Sequence, residues 1–473
     1  MIFNSFQFIW LFPLIFIIYW TCHSLNRPHF TLSKYILLAI SYGVYLQWNV
    51  FFGGVLVFVT LTTYLTALAI GRYGRHRRPI IWTGTVLTLS PLLFFKYFNF
   101  LSQSGASALQ WIGIDVASPE ISWVVPLGLS FYTFQALGYI LDVYRNKFDA
   151  EKSIVNYALF VAFFPQILCG PISRAESLLP QLRTPRAFSF AQGVSGLKLI
   201  LWGVFLKVVV ADRLGLYVDT IYSDYASFSG TSSILAALFF SIQIYGDFAG
   251  YSYIAVGVAR LLGIDIIINF RRPYFAQSVS EFWRHWHISL TKWLTDYIYI
   301  PLGGSRCGKL RNYFNLMVTF GVSGIWHGAN FTFIFWGILN GIYLVIEKML
   351  GLNKQKSVGF VRFIRIVFTF LIITLAWVYF RAPSISIANN LLVHMTSLGK
   401  PYIDTFVLSS AALGVMILII VESIMEFKPK YYSWLSDGSG AVRILRWAVY
   451  LNLLAIILLF GVLDASQFIY VVF

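Results

Sequence analysis

Seven histidines occur in this sequence of 473 residues, and two of them have surroundings that could support chemistry. His327 lies in GVSGIWHGAN, inside a long apolar run. An ionisable side chain at membrane depth is costly, and it usually faces a cavity or a polar pathway rather than lipid. Gly321, Gly324 and Gly328 surround it. They allow close approach of backbone or substrate and weaken a regular helix, so a helix broken at the imidazole is expected. A buried histidine bonded to a neighbouring helix carbonyl is the competing reading. His287, in FWRHWHISL, sits at the border of a polar helical arc. It reads equally well as an ordinary member of that helix. Imidazoles that titrate near neutral pH are suited to the proton transfers of acyl transfer.

Other chemistries find less support. His285 and His287 are two residues apart and cannot share one side of a helix. There is no HExxH pair, no GxSxG elbow and no P-loop, so neither a metal site nor a cofactor is expected. Cys22, Cys169 and Cys307 are far apart and show no ligand spacing. His23, His29, His76 and His394 are expected to be solvated connector or loop residues. Asp247, in QIYGDFAGYS with Gln243, Tyr245 and Tyr251, could line a polar path or lock helices together by hydrogen bonds. The structural reading is slightly favoured. Asp142 and Asp212 read as ordinary carboxylates at span ends.

The composition dictates what must hold these residues. Hydrophobic residues make up 58% of the chain and charged residues 11%, too little charge to cover the surfaces of several soluble domains. The chain is therefore expected to be all-α and polytopic in a membrane, as a single domain over 1–473. Crossing the hydrocarbon takes about 20 apolar residues. Candidate runs lie near 5–22, 33–48, 51–70, 80–98, 121–141, 154–170, 190–210, 231–262, 313–336, 337–350, 364–380, 405–424 and 443–462. Some are short or interrupted by Gly and Pro, so about 10–12 true spans are expected, with interfacial or re-entrant pieces. The apolar start at Met1 lacks a basic region and a cleavage pattern and reads as a first span.

The formal charge of +16 fits basic loops at the cytoplasmic face rather than nucleic-acid binding. Arg72, Arg75, Arg77 and Arg78 follow the third apolar run, which puts the N-terminus outside. Residues 280–297 project as one amphipathic helix. Phe282, Trp283, Trp286, Leu290, Trp293, Leu294 and Tyr297 share an arc, the pattern of a helix lying in the cytoplasmic interface.

Six strings then resemble one family: PLGLSFYTFQALGYILDVYR (126–145), FFPQILCGPISR (163–174), LKVVVADR (206–213), FWRHWHISLTKWLTDYIYIPLGGSR (282–306), GIWHGANFTFIFWGILNG (324–341) and WVYFRA (377–382). The apolar ending FIYVVF (468–473) is similar too. The resemblance is to the membrane-bound O-acyltransferases, in the bacterial branch containing the alginate O-acetylation and teichoic-acid D-alanylation proteins. The motif-bearing core runs from about residue 90 to 382.

The resemblance implies a helical enzyme with a central funnel, in the bacterial inner membrane. His327 would be its catalytic histidine, and His287, near the cytoplasmic mouth, would join it in the catalytic site by positioning the thioester or a proton. Asp247, Gln243, Trp326 and Asn330 would line the funnel. His285, Ser323 and Cys169 depart from the commoner Arg, Gly and Ala or Ser, without disturbing the register. The chain's length and the segment beyond 382 favour the alginate-type branch. That branch implies acetyl-CoA as a cytoplasmic donor and an envelope polysaccharide or peptidoglycan as acceptor. It also implies a periplasmic partner of the SGNH acetyltransferase type. Arg271, Arg272 and Arg284 would meet the donor's phosphates, a task for which guanidinium geometry is suited. Transfer of D-alanyl or another acyl group is the alternative within this branch. Outside it, the alternatives are a proton-coupled transporter or flippase and a non-catalytic scaffold.

Overall fold

The computed structural model describes residues 6–25, 31–352, 357–437 and 439–462, which are largely helical with no strand among them. His29 and the ending 468–473 lie outside the described residues. Nine helices among the described residues are long and apolar enough to cross a membrane, and the chain is an all-α polytopic membrane protein. Three apolar runs prove too short to span. The run near 121–141 becomes the helix Leu129–Tyr144, and that near 154–170 becomes Ile154–Ala162 followed by irregular turns. Thr31–Leu46 has 16 residues, about 24 Å at 1.5 Å per residue and short of the ~30 Å hydrocarbon thickness. The run 313–336 is two pieces, Lys309–His327 and Phe331–Met349.

The chain divides into two compact units. The first comprises Met1–Gly196, Ala255–Ile267 and Trp326–Asn330. At its centre Leu129–Tyr144 is buried on nearly every side. The chain enters this helix through Gly128 at φ +72, where an added Cβ would lie 2.1 Å from the Ile167 carbonyl oxygen. Only glycine fits there. At the other end the Arg77 guanidinium donates to the Val143 and Tyr144 carbonyls at 3.1 and 2.8 Å, adding a cation to the carbonyl end of the helix.

The second unit comprises Leu197–Ile254, Ile268–Ile325 and Phe331–Phe473. Two close backbone crossings organise it. Gly203 meets Gly250 so tightly that a Cβ on either would lie 2.5 or 2.7 Å from the other's carbonyl oxygen. Gly324 meets Phe333, and Gly337 meets Phe320, each with a hypothetical Cβ 2.3 Å from the facing carbonyl. Small residues let apolar helices gain dispersion contacts that bulky ones forbid. Gly324 therefore packs the helical hairpin rather than admitting substrate, and Gly321 faces open space.

Several expectations are corrected. Residues 280–297 are not one interfacial helix. They form Val279–His285, Ile288–Leu294 and a π-helical turn Thr295–Tyr299, with a break at Trp286 and His287. The aromatic arc is buried against protein instead of lying in lipid headgroups: Phe282, Trp283, Trp286, Leu290, Trp293, Leu294 and Tyr297 are all buried. A helical wheel reads amphipathicity but cannot tell a protein partner from a membrane one. His23 is no solvated connector, being buried in Phe6–Leu25 with its ring against Trp20. His394 ends the helix Ile385–His394, with Nε2 2.9 Å from the Phe228 carbonyl. Asp142 and Asp212 are buried, and Asp212 is ion-paired rather than an ordinary boundary carboxylate.

Candidate active site

In the first unit, the turn Trp326–Asn330 carries His327, which is 5% exposed. The helix Lys309–His327 ends on this residue, and Phe331 starts the next helix. The break expected from the glycines therefore falls at the imidazole. Trp326 is buried and packs edge-on to Phe131 at 5.3 Å and tilted against Phe134 at 5.6 Å. Its ring stands 4.9 Å from the His327 ring, nearly perpendicular to it. Trp326 thus braces the catalytic candidate against the central helix, and Asn330 closes the same turn. The Lys96 ammonium donates to the carbonyls of both Trp326 and His327, at 3.0 and 2.8 Å.

In the second unit, His287 is 1% exposed, with its ring edge-on to Phe248 at 4.7 Å. Its φ of +44 is left-handed, a conformation that costs a side chain of this kind on the order of 1–3 kcal/mol. Asn269 holds the bend in place. Ile288 N–H donates to its carbonyl at 2.9 Å, and Ser289 N–H donates to its Oδ1 at 3.0 Å. Arg271 N–H donates to the His285 carbonyl at 3.0 Å, fixing the same loop from the other side.

Burial pushes the His287 imidazole from 6.5 down to about 3, so the ring stays neutral at physiological pH. Below pH 6.5 the unfolded chain takes up a proton that the folded chain refuses. Stability contributed by this group is therefore complete above 6.5 and declines as pH falls toward 3. It follows that His287 sets no limb of a pH–rate profile between about pH 5 and 8. A His287→Gln variant should keep the parent's acid midpoint, whatever happens to its rate. A displaced midpoint would contradict that assignment.

Of the arginines expected at the donor, Arg271 and Arg284 are exposed, while Arg272 is half-buried. The backbone bond from Arg271 to His285 brings all three into one neighbourhood. Arg272 is already engaged, with Nε 3.0 Å from Glu426, which also pairs with Arg362 at 2.8 Å. Asp247 is 1% exposed and ion-paired to Lys207 at 2.6 Å, and Lys207 also pairs with Asp212 at 2.8 Å. One turn before Asp247, the buried Gln243 carries an Oε1 with no hydrogen-bond partner among the described residues. Asp247 is thus engaged by Lys207 within this unit, and Gln243 retains an unused acceptor.

Comparison with known proteins decides the class. The sequence profile of the membrane-bound O-acyltransferase family matches residues 55–385. The chain belongs to that family. This acyltransferase is 37% identical to "Probable alginate O-acetylase AlgI" of Pseudomonas aeruginosa, over 84% of the chain and 75% of that protein. It is 32% identical to the "Peptidoglycan O-acetyltransferase" of Helicobacter pylori, over 84% and 80%. The "Teichoic acid D-alanyltransferase" of Streptococcus thermophilus is 30% identical over 49% of the chain and 59% of its own length.

Three residues of this acyltransferase escaped the sequence reading. Lys96 and Lys207 are single cations in apolar runs, LLFFKYFNF and FLKVVVAD, and so carry the same signal of intramembrane cost that singled out His327. Each sits in a π-helical turn, Leu93–Tyr97 or Phe205–Ala211, a distortion common at functional sites. Asn269 left no such signal, because its role depends on a loop whose conformation the sequence does not announce.

Proposed function

We propose that this membrane acyltransferase moves an acetyl group from acetyl-CoA to a hydroxyl of an envelope polysaccharide or peptidoglycan, with His327 as general base. The observation that carries the reading is the pattern of relatives. Those named as O-acetylases or O-acetyltransferases match across 84% of the chain, whereas the D-alanyltransferases match 49% or 60% of it.

In this reading the imidazole of His327 takes the proton from the attacking hydroxyl. The oxygen forms a bond to the thioester carbonyl carbon, the C–S bond breaks, and the proton passes to the departing thiolate. Burial of the ring supports the assignment, because a water-poor site limits donor hydrolysis and strengthens electrostatic stabilisation. Arg271 and Arg284 offer exposed guanidinium groups for the donor's phosphates, and Arg272 would join them only by loosening its pair with Glu426. His287, held neutral and rigid, positions rather than titrates. A periplasmic SGNH-type acetyltransferase would receive or direct the acetyl group on the far side, and the N-terminus would lie outside.

Two measurements test this. Purified protein in proteoliposomes should release free thiol from acetyl-CoA, and envelope glycans from a deletion strain should lose O-acetyl groups by mass spectrometry. Loss of D-alanyl esters with acetyl groups intact would replace the acyl group. Movement of a solute with no thiol release would replace catalysis by transport.

A further inference from the structure

The contact between Lys96 and the His327 turn goes beyond what the His327 reading requires. An ammonium has three N–H donors and no acceptor. Among the described residues, the acceptors around Lys96 Nζ are the carbonyl oxygens of Trp326 at 3.0 Å and His327 at 2.8 Å, and Ser130 Oγ at 3.5 Å. Two of its donors are thus held by the turn and the third faces Ser130 at longer range, so Lys96 is directed at the protein's own acceptors. Its two strongest bonds fall on the last two residues of Lys309–His327. Terminal carbonyls of a helix lack intrahelical partners and carry the negative end of its dipole. A cation placed there therefore satisfies both needs at once.

The means by which Lys96 arrives there is also local. It lies in the π-helical turn Leu93–Tyr97 within the continuous helical stretch Gly74–Trp111. A π turn inserts one extra residue and shifts the side chains that follow it around the helix axis. All four residues, Lys96, Ser130, Trp326 and His327, belong to the first unit.

We propose that Lys96 is a positioning residue for His327: its ammonium ties down the Trp326 and His327 carbonyls and so fixes where the imidazole stands. The catalytic consequence rests on His327 acting as the base, while the positioning itself does not. A displacement of about 1 Å at a reacting group can cost on the order of 10²-fold in rate.

The test uses the full-length protein in nanodiscs with acetyl-CoA as donor, comparing the parent with Lys96→Met, Lys96→Arg and His327→Ala. In Lys96→Met, thiol release at saturating donor should fall by ~10–100-fold, with KM for acetyl-CoA little changed. Lys96→Arg, which keeps the charge, should recover part of the rate. A second readout does not depend on activity. Carbethoxylation of His327 by diethyl pyrocarbonate, followed by peptide mass spectrometry, should be faster in Lys96→Met than in the parent or in Lys96→Arg.

Normal turnover and normal His327 modification in a folded Lys96→Met protein would overturn the proposal. A rise in KM alone would overturn it too, since that would make Lys96 a donor-binding group. If His327→Ala retains turnover while Lys96→Met still alters modification, the general-base reading falls and the positioning stands.

Discussion

Replacing His327 with alanine should reduce acyl transfer by on the order of 10²–10⁴-fold, the usual contribution of a positioned general base, while leaving the protein folded in the membrane. The imidazole is buried at the end of Lys309–His327, where Trp326 braces it from one side and Lys96 holds the carbonyls beneath it. Removing the ring leaves those backbone bonds untouched, so expression and melting behaviour should change little. The hydroxyl would then have to lose its proton to water or to nothing at all. Thiol release from acetyl-CoA by purified protein reads the effect directly, and glycan acetylation in a complemented deletion strain reads it in the cell. Near-parental rates in both would remove His327 from the reaction. A loss matched by disappearance of the folded protein would show that the residue serves packing instead.

The second large effect concerns stability rather than chemistry. Lys207→Met should destabilise the protein by about 3–5 kcal/mol, the range for breaking a buried ion pair by deleting one partner. Lys207 is 3% exposed and stands between Asp212 and Asp247 at 2.8 and 2.6 Å. Methionine preserves the volume but leaves two buried carboxylates facing each other with no cation between them. The crossing of Gly203 with Gly250 lies beside this cluster, so loosening it separates helices packed backbone to backbone. Thermal unfolding in detergent should show a large fall in the midpoint. Adding Asp247→Asn to Lys207→Met should recover part of it by removing one of the stranded charges. An unchanged midpoint would mean that the cluster is hydrated and contributes little. The same experiment bears on Asp247. If its role is to lock helices, Asp247→Asn should lower stability while activity per folded molecule is retained.

His327 and His287 were both legible as residues, for different reasons. His327 announced itself by cost, as an ionisable side chain in an apolar run. His287 stood out by its place in a string resembling the family, since its burial could not be read from its neighbours. On a helical wheel it borders the polar arc, and only the break at Trp286 and His287 turns it inward against Phe248. That break depends on a left-handed backbone held by Asn269, 18 residues earlier in the chain. No local propensity encodes such an arrangement.

The sequence by itself determined the membrane class, the all-helical fold, the family and the helix break at the imidazole. Each follows from composition, from apolar run length, from short motif strings or from glycines and histidine close together in the chain, which are local properties. Tertiary structure alone decided which charges neutralise one another and which helix faces meet protein instead of lipid. It gave Lys207 its two carboxylates, gave Lys96 the carbonyls of a turn 230 residues away, and buried an aromatic arc that a wheel would lay on a membrane surface. The physical reason is that a buried charge or an apolar face needs some partner, and the need is written in the residue. The identity of the partner is set by packing between segments distant in sequence.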